Sequence, residues 1–147
     1  MEKNKKELKI LSILILALTA LTVVLSVLDL CIKGLPQVEA PEGFTQEAVQ
    51  VVAIISVVIT YVVLIPQIYV GFKGLKIATS TEQVAGKAHM VWAVILAVVV
   101  GISTISGISG LFSAFDVSKL LNVFTHAVDV FIYVYYFIIA RRVANGN

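Results

Sequence analysis

Residues 119–140 read KLLNVFTHAVDVFIYVYYFIIA, and the aspartate in the middle of this apolar run, Asp129, decides how the chain is understood. Asn122, Thr125, His126, Asp129, Tyr133 and Tyr136 recur at steps of three and four, so on a helix they form one polar stripe. At about 1.5 Å per residue the run crosses a hydrocarbon core of about 30 Å, with Asp129 near the midplane. An ionised side chain at that depth costs about 3 kcal/mol on insertion scales and more in simulations. Such a residue is expected to face protein or water and to carry function. His126, one turn away, is close enough to share a proton with it or to help hold a cation. The competing reading is structural: an Asp129 bonded to Thr60 or Tyr61 that ties the bundle together.

The rest of the chain shares this apolar character. Of 147 residues, 59% are hydrophobic and 14% charged. That is too apolar for an ordinary soluble domain and too short for two membrane domains. A single all-α, polytopic membrane domain covering residues 1–147 is therefore expected, with the lipid bilayer as its first partner. The net charge of +2 is not arranged as a basic stripe, so no nucleic-acid partner is expected. Cys31 is the single cysteine, which excludes an intramolecular disulfide. Its place after an apolar run resembles lipoprotein processing, but Leu30 stands where a small residue is needed. Two ligands on one helix, His126 and Asp129, are too few to argue for zinc, so neither metal nor cofactor is expected.

Four membrane helices are predicted, at about residues 10–30, 46–73, 88–112 and 118–141. The first follows the lysine-rich MEKNKKELK. Its run from Ile10 to Leu30 is longer than a signal-peptide core and lacks a good cleavage site, so it reads as a retained helix. Ser12, Thr19, Thr22, Ser26 and Asp29 share one of its faces. An acidic loop with Gly34, Pro36, Glu39, Pro41, Glu42 and Gly43 follows, and Thr45 is placed to cap the second helix, with Glu47 in its first turn. Pro66 interrupts that helix, and Ser56, Thr60, Gln67, Gly71 and Gly74 follow a stripe with Tyr61 beside it.

The spacing of Ser80-Thr81-Glu82-Gln83 predicts a capping box and a short helical turn before the third span. That span ends in GISTISGISG, residues 101–110, where Gly101, Gly107 and Gly110 suit close helix packing, with a water-lined vestibule as the alternative. Asp116 is placed to cap the fourth helix. His89, Trp92, Tyr135 and Tyr136 fall where aromatic belts sit. Of the 11 lysines and arginines, only Lys33 and Lys119 lie on the side away from the termini. Both termini are therefore expected in the cytoplasm, and the protein in a cell membrane, plasma or bacterial inner.

The segment LIPQIYVGFKGLKIATSTEQ, residues 64–83, resembles the Pro-Gln signature of the PQ-loop transporters, which include the SemiSWEET sugar carriers and the lysosomal amino-acid exporters. In that family a helix entering from outside carries Pro-Gln. A basic loop with a Ser-Thr-Glu-like segment follows on the cytoplasmic side, and two more helices complete a three-helix unit. Residues 46–143 have that order, with one further helix in front. The resemblance implies a hinge at Pro66, a partner role for Gln67 and substrate contact at Asn122.

No nucleophile elbow, phosphate-binding glycine loop or zinc-protease signature is present, so no enzymatic activity is expected. The expected function is a small transporter or channel subunit, proton- or cation-coupled through Asp129 and His126. Thr60, Tyr61, Gln67, Asn122, Thr125 and Tyr133 would line the path of its small-molecule or ion substrate, and Pro66 would be the hinge. Four short helices bury little surface, so pairing of copies through the glycine-rich third helix into a homo-oligomer is expected. The alternative, from a different class, is a non-catalytic accessory or immunity-type subunit whose basic inner and acidic outer loops dock a partner protein.

Overall fold

The computed structural model describes residues 2–34, 43, 45–80, 86–113 and 116–146. It contains four helices, α1 (Glu2–Lys33), α2 (Gln46–Thr79), α3 (Ala88–Ser113) and α4 (Val117–Ala144), and no strand among the described residues. Each holds a span long and apolar enough to cross a membrane. Large apolar side chains such as Leu25, Ile59, Val98 and Phe131 are exposed on all four. Helices that are apolar all round belong inside a large protein or against lipid, and four helices cannot bury one another on every side.

The helix ends follow local chemistry and tertiary contacts. Thr45 caps α2 with φ −79° and ψ 146°, its hydroxyl oxygen accepting the Ala48 N–H at 3.3 Å. Asp116 immediately precedes α4, and its carbonyl accepts the Leu120 N–H at 3.0 Å. Two boundaries depart from the sequence expectation. α1 starts at Glu2 rather than near residue 10, because its first turns are held by the fold: Leu8 is buried, and the Tyr135 hydroxyl donates to the Glu7 carboxylate at 3.1 Å. α2 passes Pro66 without a break and continues beyond Lys73 to Thr79. Proline forfeits one backbone bond, and packing against neighbouring helices sustains the rest. Ser80 ends α2 as its C-cap, its N–H donating to the Lys76 carbonyl at 3.0 Å. The helical turn expected at residues 80–83 falls, beyond Ser80, outside the described residues.

The helices run up and down, with the start of α1, the end of α2, the start of α3 and the end of α4 together at one end, here the termini end. α1 packs chiefly on α2 and α3 chiefly on α4, while α1–α4 and α2–α3 share less. Glycines set how closely the pairs approach. A Cβ on Gly71 would come 2.6 Å from Leu16 Cγ, and one on Gly74 would collide with Ser12 Oγ and Tyr136 Oη. In the other pair a Cβ on Gly107 would lie 2.7 Å from Val123 Cγ2, and one on Gly101 4.0 Å from Val130 Cγ2, whereas Gly110 faces open space. The close approach at Gly107 is thus made within the chain, to α4. Gly107→Ala is expected to lower stability by about 1–3 kcal/mol through overpacking, and Val123→Ala to restore most of it. Thermal melting in detergent checks this; an unchanged single variant would refute it.

The core lies in the half of the bundle near the termini, built from Leu8 and Ile15 of α1, Val70 of α2, Met90 and Leu96 of α3, and Tyr136 and Ile139 of α4, among others. Tyr136 is its centre. It is fully buried, and its hydroxyl donates to the Val70 carbonyl at 3.0 Å. Its ring stands edge-on to His89 with centroids 6.1 Å apart. Gly74 gives it room beside Ser12, so all four helices meet around one side chain. His89 and Tyr136 are therefore core residues rather than belt residues, because the termini ends of the helices pack on one another; Trp92 remains exposed.

Candidate functional site

The polar stripe of α4 divides at Asp129. Toward the termini end, Tyr133, Tyr136, Ala140 and Val143 are buried; Asp129 and His126 are half-buried, and Asn122 and Thr125 beyond them are exposed. α1 repeats the pattern, with Leu8, Ser12, Ile15 and Thr19 buried and Thr22 exposed. On α3 the last buried residue is Val100. Burial therefore stops at one level on three helices.

Gln67 of α2 stands at the same level. The Thr19 hydroxyl donates to the Ile15 carbonyl at 2.7 Å and lies 3.2 Å from Gln67 Oε1. Measured along the helices from the basic ends, Thr19 lies about 15 Å beyond Lys9, and Asp129 about 18 Å from Arg141. Both distances are about half the 30 Å thickness of a hydrocarbon core.

Contacts that join the α1–α2 and α3–α4 pairs include Tyr136 to Val70, Tyr136 to Gly74 and Tyr135 to Glu7, all on the termini side of Asp129. In the far half Leu28, Val52, Ile105 and Phe124 are all exposed, with Ala53 a buried exception. The buried core thus belongs to the termini half of the bundle.

Asp129 sits where burial on α4 ends. Its carboxylate takes no hydrogen bond among the described residues, and the ionisable groups whose field it shares are His126 and Tyr133 on its own helix. Tyr133, one turn toward the packed end, also walls an apolar groove with Val98 and Val130. Tyr61 is half-buried on α2 and makes no hydrogen bond among the described residues, and the side chain of Thr60 lies outside them. Of the two partners foreseen for a structural Asp129, Tyr61 is not bonded to it, and the side chain of Thr60 falls outside the described ones.

Thr125 and Asn122 stand about one and two turns beyond Asp129, where the Thr125 hydroxyl donates back to the Leu121 carbonyl at 2.9 Å. Asp129, His126 and Tyr133 therefore come together on α4, and Gln67 joins Thr19 at the same height in the other pair. Sequence reasoning saw Thr19 only as one member of a polar face. The signal that could have paired it with Gln67 is their shared depth from the basic ends.

The described residues contain no group of three or more His, Cys, Asp or Glu able to hold a metal ion. The likeness to PQ-loop transporters rests on residues 64–83 themselves. No family model, curated protein or solved structure matches the chain.

Proposed function

We propose that the chain is a small multi-pass transporter or channel subunit of a cell membrane, with both termini in the cytoplasm and Asp129 with His126 as its proton- or cation-coupling site. The supporting observation is the coincidence of levels. Burial ends on α1, α3 and α4 at the height where the chain places Thr19, Gln67, Asp129 and His126. A carboxylate kept for structure would be fully bonded; this one is unbonded among the described residues, one helical turn from a histidine, where the buried core ends. A midplane site at the end of a packed half is where a path from the other side would arrive.

In this reading a small molecule or ion enters between the helix pairs past Asn122 and Thr125 and reaches His126 and Asp129, with Tyr61 and Gln67 contributed by α2. The junction around Tyr136 closes the cytoplasmic half. Pro66, next to Gln67, is where α2 bends when access switches. A second copy closes the sides of so small a cleft.

Uptake or conductance in liposomes as a function of pH, for the parent and Asp129→Asn, tests the coupling. Topology has a test that needs no substitution, because Cys31 is exposed near the far end of α1. An impermeant maleimide is expected to label it in intact cells, while a reporter after Asn147 stays cytoplasmic. Labelling only after permeabilisation would invert the orientation. The exposed apolar side chains of the far half, such as Leu28, Ile105 and Phe124, also favour a second reading, an accessory subunit whose partner helix packs on them. A stoichiometric partner on purification, with no flux from the isolated protein, is its signature.

A further inference from the structure

Between the first turns of α3 and the last turns of α4, on the outer face of the bundle, lies a groove of about 480 Å³. Its walls are apolar, with Met90, Val94, Ile95 and Phe137 among them, and two cations, Lys87 and Arg141, stand at its mouth. Neither cation has an ion-pair partner among the described residues, and both are exposed. The groove does not end at Val94. A second groove of about 280 Å³ shares Val94 and Phe137 with it and continues along the α3–α4 seam to Val98 and Val130. From Lys87 to Val98 the seam runs about 16 Å, the depth of one leaflet of a bilayer.

An apolar channel one leaflet deep, with two unpaired cations at the level of the headgroups, matches a single kind of molecule. We infer that this seam binds an anionic phospholipid of the surrounding membrane, its phosphate held by Lys87 and Arg141 and one acyl chain laid against Val94 and Phe137. The inference rests on the reading that the chain spans a membrane. It assigns the seam a ligand distinct from anything carried past Asp129, which lies on the inner stripe of α4. A zwitterionic lipid offers the same acyl chain but cancels its phosphate charge with choline. A basic headgroup pocket on the cytoplasmic side is a recognised way for proteins to select anionic lipid.

The test uses the full chain purified in detergent, with dioleoyl-phosphatidylglycerol or dioleoyl-phosphatidylcholine added, and reads bound lipid by native mass spectrometry together with the melting temperature. Phosphatidylglycerol is expected to bind and to raise the melting temperature more than phosphatidylcholine. Lys87→Ala with Arg141→Ala is expected to weaken its binding about 30-fold, the factor for two cations at about 1 kcal/mol each. Lys3→Ala with Lys6→Ala, which removes two exposed cations at the same end but outside the seam, is expected to leave the preference intact. Val94→Trp, which fills the groove, is expected to abolish it while both cations remain. Equal binding of the two lipids, or equal loss from the Lys3 and Lys6 pair, would overturn the inference. A chain absent from the membrane fraction would instead overturn the reading beneath it.

Discussion

Asp129→Leu is expected to melt at a higher temperature than the parent while losing coupled transport altogether. A charged aspartate at the centre of a membrane helix costs about 2.5–3.5 kcal/mol on insertion, and Asp129 recovers none of it through a hydrogen bond among the described residues. Leucine removes that cost, so the melting temperature should rise rather than fall. Asp129→Asn separates charge from shape. It keeps the volume and is expected to stay within about 1 kcal/mol of the parent in stability, yet with no proton to exchange its flux should fall to background or lose all dependence on pH. His126→Gln should shift the pH profile rather than erase activity, because the carboxylate remains. The measurements are detergent melting and pH-dependent flux in liposomes for all three variants. Marked destabilisation by Asp129→Leu would mean that the carboxylate holds the bundle together; parental pH-dependent flux in Asp129→Asn would remove it from coupling. A residue whose loss stabilises the fold while ending activity is the usual mark of a functional group.

The second large effect is at the other end of the molecule. Tyr136→Ala is expected to lower stability by about 3–5 kcal/mol, the range for deleting a large buried aromatic. The loss has several sources, because the ring touches His89 and lies against Gly74 at the one point where all four helices meet. Tyr136→Phe keeps the ring and removes only the hydroxyl that donates to the Val70 carbonyl, so about 1 kcal/mol should be lost. Melting curves for the two variants give the ratio directly. Equal effects would place the whole contribution in the hydroxyl, and a negligible effect of the alanine variant would show that the packed half does not depend on this junction.

The four spans were legible because length and hydropathy suffice for them, and Thr45 because an N-cap is a local device. Asp129 was legible as a solitary acid in an apolar run. The start of α1 was not, since Glu2 to Lys9 is polar and becomes helical through contacts such as Tyr135 to Glu7, made across the whole chain. Nor was the continuity of α2 through Pro66, because the local penalty is visible in sequence and the compensating neighbours are not. Periodicity gives the face on which a residue lies but not what covers that face. That is why His89 and Tyr136 read as interfacial aromatics, and why Thr19 and Gln67 were each noticed without being paired.

The preference of α1 for α2 and of α3 for α4 bears on how the protein is made. Each pair is a hairpin of neighbours in sequence, so the contacts that close it are local and form early. As the chain leaves the ribosome, Gly71 and Gly74 can seat against Leu16 and Ser12 before α3 has been synthesised. Tyr136 belongs to the last helix to emerge, and until it arrives the space over Gly74 and the Val70 carbonyl has no occupant from α4. A product truncated before residue 136 would keep the α1–α2 pair but lack the end of α4 that fastens that pair to α3 and α4.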